Sequence, residues 1–424
     1  MKKIIKCGKL FDGQQEKYFE KTSILVEDGK IMKVGDSATW DVEAETIDLS
    51  DKVVTPGLME IHNHNIAYNN QNVGTILNEK LYKSRLYSML GVTYHLNKLL
   101  EKGFTLVRDC CSIERGWEIV DVRDAIRDGF IEGPEFVVCG HSGASVGSHL
   151  DTRQFVSNTI SQENCTMPSI GSGVEFFRQW VRTEFLHHVD FIKIHIDGGF
   201  ATPGDHPDQQ HLTDAEIQVI IETAHDCGMK VTAHIYNERS AKKAIMMGVD
   251  GIEHGALITP DIYDLMAEKN VYLVPTMTFF DRGYFMDPEE LAKVPSFMVK
   301  KYCDLHPRLV ESRTALIKHI ENDTILVGYG TDMGAVEPTL PVHKEFETMV
   351  RSGVSPFKAL KIATSNSAKI CQRPDLGVIA ENKQADIVAW DEDPVQNATA
   401  LRECSFVMKK GRIVKHNHNI YKTI

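Results

Sequence analysis

Three stretches carry the main evidence for the fold class: DFIKIHID (residues 190–197), TDAEIQVIIETAHDCG (213–228) and MKVTAHI (229–235). The first and the third are short, apolar and rich in β-branched residues, as buried strands are. The second repeats its apolar residues at helical spacing, with Thr213 or Asp214 as a cap at its start and Gly228 at its end. A strand, a helix and a strand in this order predict a parallel βαβ unit.

The same alternation continues through the middle of the chain. Eight short β-rich runs recur, and helical segments lie between most of them. The runs are VVTPGLMEIH (53–62), FTLVRDC (104–110), EFVVCGHS (135–142), DFIKIHID (190–197), MKVTAHI (229–235), VDGIEHG (249–255), VYLVPT (271–276) and TILVGYGTD (324–332). Eight such units predict an α/β protein with a (β/α)8 TIM barrel. The alternative, an open doubly wound sheet, usually has a glycine-rich phosphate loop after its first strand, where this chain has His62-Asn63-His64.

Both ends of the chain are β-rich and carry hairpin signals. Asp28-Gly29 divides SILVEDGKIMKVG, and Lys410-Gly411 divides CSFVMKKGRIVKH. We therefore expect a small β-sandwich-like domain built from residues 1–55 and 376–424, beside a barrel of residues 56–375. The longest insertion, at about 279–321, mixes aromatic and charged residues. It is expected to form a helical cover over the barrel mouth, and the alternative is a surface decoration away from the site.

The composition excludes several classes of function. The 47 Lys and Arg residues against 59 Asp and Glu residues give a net charge of −12, and no basic cluster stands out. Nucleic acid and anionic membranes are therefore not expected as partners, because both attract a concentrated positive surface. The nine cysteines are scattered without a CxxC pattern, and the N-terminal residues lack the apolar run of a signal peptide. These features indicate a reducing, cytoplasmic protein, and a homo-oligomer is left open.

Ionisable residues fall at the carboxyl ends of the predicted strands, the rim where barrel enzymes keep their active sites. Of these, two histidines follow the first strand two residues apart, and a side-chain period of two points both to the same side. The complete set is His62, His64, Lys193, His234, His254 and Asp332. A single strand-end histidine would mean little, and the His-Asn-His triplet of the tail is assigned to solvent. Histidines after three strands and an aspartate after a fourth meet only in a closed barrel. Four imidazoles with a carboxylate suit a divalent ion such as zinc.

Several motifs carry a family resemblance over nearly the whole chain. They are PGLMEIHNH (56–64), GFTLVRDC (103–110), FIKIHIDGG (191–199), TAHIYNERSAKKAIMMGVDGIEHG (232–255), GYGTD (328–332), ADIVAW (385–390) and VMKKGRIV (407–414). The chain resembles the amidohydrolase superfamily, and within it the prolidase-like and imidazolonepropionase-like branch. The resemblance implies hydrolysis of a C–N bond in a small-molecule substrate, such as an Xaa-Pro or Xaa-Arg/Lys dipeptide or an N-acyl amino acid.

The resemblance also implies a binuclear metal centre. His62 and His64 would bind the more buried of two divalent ions, for which Zn²⁺ is expected, and His234 and His254 would bind the second. Lys193, carboxylated by carbon dioxide, would bridge the two ions. Physical chemistry supports this modification, because an ammonium group aimed at two dications would be repelled.

Asp332 is implied both to bind the first metal and to act as the catalytic base. It would take a proton from the water that the metals activate and hand it to the leaving amine. One departure from the family pattern is Glu60, which stands where an aspartate is common before the H-x-H pair.

Four residues are candidates for substrate contacts. Tyr236 lies on the same strand face as the fifth-strand histidine and resembles a family tyrosine that contacts substrate; the alternative is a ring packed in the mouth. His149, in the VGSHLD loop, stands where relatives have a TGGHGD-like loop whose histidine supports catalysis. His141 ends the third strand and competes for the same pocket. Arg108 is a candidate for binding a substrate carboxylate, with a structural ion pair as the favoured alternative.

Two other functions remain open. A deaminase of the same barrel type would use one metal and a glutamate near the fifth-strand histidine, for which Glu238 is the candidate. The strand lysine, Lys193, favours the two-metal hydrolase instead. A non-catalytic scaffold would have lost its ligands, and the complete set of six argues against it.

Overall fold

Strands and helices alternate through most of the protein. A computed structural model describes residues 2–64, 83–112, 115–155, 157, 167–285, 295–332 and 342–421. The strands are β1 (Lys3–Leu10), β2 (Phe19–Glu20), β3 (Ser23–Glu27), β4 (Lys30–Gly35), β5 (Glu45–Pro56), β6 (Leu58–Asn63), β7 (Phe104–Asp109), β8 (Glu135–Val138), β9 (Ala144–Ser145), β10 (Ile170–Gly171), β11 (Ile192–His195), β12 (Val231–Asn237), β13 (Gly251–Leu257), β14 (Tyr272–Val274), β15 (Ile387–Trp390), β16 (Cys404–Lys409), β17 (Arg412–His416) and β18 (Asn419–Ile420). The α-helices are α1 (Arg85–Glu101), α2 (Glu118–Arg127), α3 (Val174–Leu186), α4 (Asp214–Asp226), α5 (Glu238–Met246), α6 (Pro260–Lys269), α7 (Met277–Phe285), α8 (Ser296–Glu321), α9 (Lys344–Arg351), α10 (Pro356–Lys361) and α11 (Ser367–Ile370).

The βαβ unit predicted at residues 190–235 is confirmed. β11 and β12 pair in parallel, with His195 opposite His234, and α4 connects them. The Thr213 hydroxyl accepts a hydrogen bond from the N–H of Glu216 at 3.3 Å, and the Glu216 carboxylate accepts one from the N–H of Thr213 at 2.8 Å. This capping box satisfies backbone donors that the first helical turn leaves unpaired, so the helix begins at the expected residue.

Parallel strands form two groups that hydrogen bonds join. β6, β7 and β8 make one group, and β11 to β14 make the other. Gly143 connects them on one side: its N–H donates to the carbonyl of Lys193, and its carbonyl accepts from the N–H of His195, both at 2.9 Å.

Residues 324–332 connect the two groups on the other side. The N–H of Leu273 in β14 donates to the carbonyl of Leu326, and the N–H of Asp332 donates to the carbonyl of His62 in β6, both at 2.9 Å. The parallel segments thus follow one another around a ring and return to β6. This is the order of a TIM-barrel-like fold, in which the carboxyl ends of all strands lie at the same rim.

Both ends of the chain contribute to one sheet of nine strands. Its order is β18-β17-β16-β15-β5-β1-β3-β4, with β2 paired to β1. Both predicted hairpins are confirmed: Asp28-Gly29 joins β3 to β4, and Lys410-Gly411 joins β16 to β17. All four turn residues have positive φ, between 47° and 78°, as two-residue hairpin turns require. The two ends meet where β15 pairs antiparallel with β5.

Two helices, α7 and α8, occupy the insertion expected at about 279–321. Phe280 of α7 and Tyr302 of α8 belong to one buried apolar cluster with Phe200 and Tyr236. Because Tyr236 lies near the carboxyl end of β12, this cluster brings the inserted helices against the rim of the ring. No helix within the described ranges is long and apolar enough to cross a membrane.

Candidate active site

Histidines from three strands and one aspartate meet at the carboxyl rim. Donor atoms of His62, His254 and Asp332 all lie within 4.8 Å of one another. Nε2 of His64 lies 3.0 Å from Oδ1 of Asp332, and the ring centroid of His234 lies 4.7 Å from that of His254. Side chains separated by up to 270 positions in sequence therefore share one small volume, as the strand-end pattern predicts.

Lys193 of β11 points into the same volume. Its side chain is almost completely buried, with 1% of the residue exposed. Its positive charge is close enough to lower the pKa values of His62, His234 and His254, in addition to the larger effect of burial. Among the residues that the structure describes, no carboxylate lies within ion-pair distance of its Nζ. The charge of Lys193 also contributes to lowering the pKa of the buried Glu253. A buried ammonium that forms no direct ion pair is nevertheless costly, which makes Lys193 unusual among the residues of the site.

The imidazoles are held in the form that binds metal ions. Burial and the charge of Lys193 lower the pKa of His62 to about 4, and burial lowers the pKa values of His234 and His254 well below the ordinary range. Burial tends to raise the pKa of Asp332, but the hydrogen bond with His64 and the neighbouring histidines outweigh it and lower that pKa. Near pH 7 the site thus offers neutral imidazoles beside a carboxylate, a suitable donor set for a divalent metal.

A buried carboxylate orients the first histidine from behind. Oε2 of Glu253 lies 2.6 Å from Nδ1 of His62, and Oε1 accepts hydrogen bonds from Arg108 and from the Thr232 hydroxyl, each at 2.6 Å. This leaves Nε2 of His62 buried and without a hydrogen-bond partner among the described residues. A carboxylate–histidine pair of this kind is the usual support of a metal ligand.

This arrangement corrects the suggestion that Arg108 contacts substrate. The residue is 2% exposed, and its Nε donates to the carbonyl of Ile61 while its NH2 donates to Glu253. Its guanidinium lies over the rings of Phe191 and Tyr272, at 5.0 and 6.0 Å from their centroids. The geometry therefore gives Arg108 the role of a structural ion pair, with Glu253 as its partner.

Backbone strain marks the same rim. His254 and Asp332 have φ values of 74° and 59°, and Thr276, whose hydroxyl lies 2.8 Å from Nδ1 of His254, has a φ of 45°. Residues other than glycine rarely adopt this left-handed region, and such positions cluster at functional sites.

Two candidate substrate contacts lie beside the cluster. The ring of His149 stacks on that of His234 with centroids 4.9 Å apart. The ring of Tyr236 lies 4.6 Å from that of His234 and 5.1 Å from that of His254. Tyr236 is 1% exposed and also touches Phe280 of α7, so it is packed in the mouth and adjoins the ligands at the same time.

His195 is a site residue that the sequence reasoning missed. Its ring stacks on that of His234 at 4.6 Å, and its Nδ1 lies 2.8 Å from the hydroxyl of Ser142. A signal for it was present, because His195 follows Lys193 by two residues in β11 and so shares its face. The same period of two places His62 and His64 on one face of their strand.

His141 was a candidate for the substrate pocket, but its side chain contacts Glu184 instead. It is fully buried, and its Nδ1 lies 2.8 Å from Oε1 of Glu184. The indole N–H groups of Trp117 and Trp180 donate to the same carboxylate at 2.8 and 3.0 Å. The Glu184 carboxylate thus ties His141 into a cluster with two tryptophans behind the third strand.

Comparisons with known proteins agree with this geometry. Residues 53–415 match the model of the Amidohydrolase family. The chain belongs to the amidohydrolase family. Ochratoxinase from Aspergillus niger is 24% identical to this amidohydrolase over 437 residues, which cover 97% of this chain and 86% of ochratoxinase.

Solved structures resemble this amidohydrolase over its whole length. An Xaa-Pro dipeptidase with methionine bound in its active site superposes with a TM-score of 0.85 at 28% identity, covering 98% of this chain and 100% of the dipeptidase. A prolidase complexed with N-methylphosphonate-L-proline gives a TM-score of 0.84 at 26% identity, with 98% and 100% covered. The superfamily and its prolidase-like branch are thereby confirmed, together with the TIM-barrel-like fold. This amidohydrolase is a hydrolase that acts on C–N bonds.

The deaminase alternative loses its candidate residue. Glu238 is the first residue of α5 and is exposed, so it does not lie among the buried ligands. The carboxylate whose oxygen lies with the ring nitrogens of His62 and His254 is that of Asp332.

Proposed function

We propose that this amidohydrolase uses divalent metal ions to hydrolyse the amide bond of a dipeptide of the Xaa-Pro or Xaa-Arg/Lys type, or of an N-acyl amino acid. The observation that carries the proposal is the meeting of His62, His254 and Asp332 within 4.8 Å, beside a buried lysine. Relatives described as an Xaa-Pro dipeptidase, a prolidase and ochratoxinase support this choice of bond.

The residues present fit a binuclear metal centre. His62, His64 and Asp332 would hold one ion, His234 and His254 the other, and a carboxylated Lys193 would bridge them. Nε2 of His62 and Nε2 of His234 are buried and have no hydrogen-bond partner among the described residues, which supports this assignment. When bound, such ions, for which we propose Zn²⁺, lower the pKa of a water molecule and polarise a carbonyl.

The protein side chains supply the remaining chemistry. Asp332 is held ionised, so near neutral pH it can accept a proton from the attacking water and pass it to the leaving nitrogen. His149 and Tyr236, which adjoin His234, would hold the reacting carbonyl or the substrate carboxylate. Phe280 and Tyr302 line the cover above Tyr236 and would exclude water from that side.

Asp332→Asn tests the role of the base. We expect it to lower kcat by at least about a hundredfold while most of the metal remains bound, because the amide can still coordinate but cannot accept the proton. The assay is hydrolysis of a panel of N-acyl amino acids and Xaa-Pro and Xaa-Arg dipeptides, with metal content measured by plasma mass spectrometry. Asp391→Asn is the matched control, since Asp391 pairs with Lys52 in the terminal sheet. Full activity in the Asp332 variant would overturn the assignment.

The modification of Lys193 has its own test. Protein equilibrated with ¹³C-bicarbonate and metal should show a carbamate carbon resonance that is absent from Lys193→Arg. Purified wild-type protein that holds two metals per chain without this resonance would contradict the bridging role.

The division into domains is part of the same proposal. We infer a small β domain from residues 1–55 and 376–424 and a barrel from residues 56–375. A hydrophobic cluster confined to the nine-stranded sheet and the segment that leads into it, including Ile5, Ile47 and Phe406, supports this division.

A further inference from the structure

The inserted helix α8 reaches the loop that follows β11. Nζ of Lys301, in the second turn of α8, donates to the carbonyls of Gly199 and Thr202, each at 2.6 Å, and to Oδ1 of Asp205 at 3.0 Å. An ammonium group has three N–H donors, so its full capacity is used on this one loop. Lys301 is 7% exposed, and its partner Asp205 is 6% exposed.

Residues of the same loop contact the side chain of His149, which lies in the VGSHLD loop. Oδ2 of Asp205 accepts a hydrogen bond from the N–H of Gly199 and lies next to Nδ1 of His149, both at 2.9 Å. The hydroxyl of Thr202 lies 2.9 Å from the same Nδ1 and 3.0 Å from the carbonyl of His149. Asp205 and Thr202 thus contact Nδ1 of His149, which leaves the opposite ring edge, with Nε2, free of these two contacts. The ring face stacks on His234.

The neighbouring residue of α8 contacts the loop as well. The ring of Tyr302 stacks on that of Phe200, with centroids 4.9 Å apart and an interplanar angle of 23°. Helix α8 therefore contacts the loop after β11 through two consecutive residues, the buried charge of Lys301 and the aromatic ring of Tyr302. Lys301 thus donates to the carbonyl of Gly199, and Tyr302 stacks on the next residue, Phe200. A Cβ added at Gly199 would stand 2.1 Å from Cε1 of His149.

We propose that Lys301 is a positioning residue for the substrate site: through Asp205, the inserted helix holds the ring of His149 beside His234. The inference rests on the proposed function in one respect, the assignment of His149 as a substrate contact. It gives the insertion a role in binding, because an element outside the barrel repeat sets the orientation of a ring at the rim. The chain separation between Lys301 and Asp205 is 96 residues.

The first experiment is a double-mutant cycle on kcat/KM. Lys301→Met and His149→Ala should each lower kcat/KM by about tenfold or more, and the double variant should be no worse than His149→Ala alone, within about twofold. Lys301→Arg, which keeps the charge and the donors, should recover most of the loss. Lys300→Met is the matched control, because Lys300 is exposed and pairs with Asp304 one turn along the helix. If the two losses multiply in the double variant, Lys301 acts independently of His149 and the proposal is wrong.

A second readout needs no turnover. In protein labelled with ¹⁵N-histidine, long-range correlation spectra report which ring nitrogen of His149 carries the proton, with His149→Ala supplying the assignment. Lys301→Met should change these resonances and Lys300→Met should not; Asp205→Asn serves if Lys301→Met does not fold. Unchanged His149 resonances in a folded Lys301 or Asp205 variant overturn the proposal. If the wild type cleaves no member of the substrate panel while the resonances respond as expected, the proposed function fails and the positioning role stands.

Discussion

Replacing Arg108 by methionine separates a structural role for this residue from a role in substrate binding. The guanidinium is 2% exposed and donates to Glu253, which is fully buried, at 2.6 Å. Methionine has a similar reach between Phe191 and Tyr272, so the main loss is the positive charge and its hydrogen bonds. Removing one partner of a buried ion pair costs about 3–5 kcal/mol, because the other charge stays buried without compensation.

The free energy of unfolding in urea, measured on metal-free protein, is the direct assay. Lys243→Met is the matched control: Lys243 pairs with Asp214 at 2.7 Å near the surface, where such a pair is worth about 0–1 kcal/mol. Arg108→Lys keeps the charge without the planar fork and should fall between the wild type and the methionine variant. We expect KM of the folded fraction to change little.

The pH dependence adds a second check on Arg108. Burial tends to raise the pKa of Glu253, but Arg108 and His62 outweigh it and hold that pKa well below the ordinary range. A depressed carboxylate pKa stabilises the fold at pH values above the unfolded pKa, and this contribution is lost as the pH falls. Without Arg108 the carboxylate can take up a proton more readily, so the deficit of the variant should be largest near neutral pH and shrink on acidification. An unfolding free energy within about 0.5 kcal/mol of the wild type, together with a raised KM, would refute the structural role.

The other predictions concern the candidate metal ligands and the loop that follows β11. Because burial lowers the pKa of His62 to about 4, the affinity of metal-free protein for Zn²⁺ should fall steeply only towards that pH, and not near the ordinary imidazole value of about 6.5. Calorimetric titrations at several pH values measure this, and a tenfold fall centred on the ordinary value would contradict it. Gly199→Ala should lower kcat/KM by about tenfold or more with metal content unchanged, because the added Cβ would stand 2.1 Å from Cε1 of His149 and displace that ring. Wild-type kinetics in this variant would show that activity does not depend on the position of the His149 ring.

The candidate ligands could be predicted because they depend on short-range geometry. A strand side chain repeats every two residues, and parallel βαβ units bring the carboxyl ends of strands to one rim. His62, His64, His234 and Asp332 follow from those two rules once the strands are recognised. His195 could have been predicted in the same way, because it lies two residues after Lys193 in β11 and faces the same side. The hairpins at Asp28-Gly29 and Lys410-Gly411 were equally local, since the turn requires positive φ at those residues.

These local rules could not predict which partner a buried polar residue would have. Arg108 and His141 end strands as the ligands do, yet one meets Glu253, 145 residues away, and the other meets Glu184, 43 residues away. The link between Lys301 and the loop after β11 likewise joins an insertion to a distant strand end. The left-handed backbone of His254 and Asp332 could not be predicted from residue type, because histidine and aspartate adopt this conformation only occasionally.

The periodicities, the turns and the set of side chains that can reach the rim could be read from the amino-acid sequence, since they depend on bonds and on neighbours a few residues apart. Which of those side chains face the candidate metal site, and which are bound by buried partners, depends on the tertiary structure. A buried charge is stable only beside a group of opposite charge or a hydrogen-bond partner, and the position of that partner depends on how the whole chain folds.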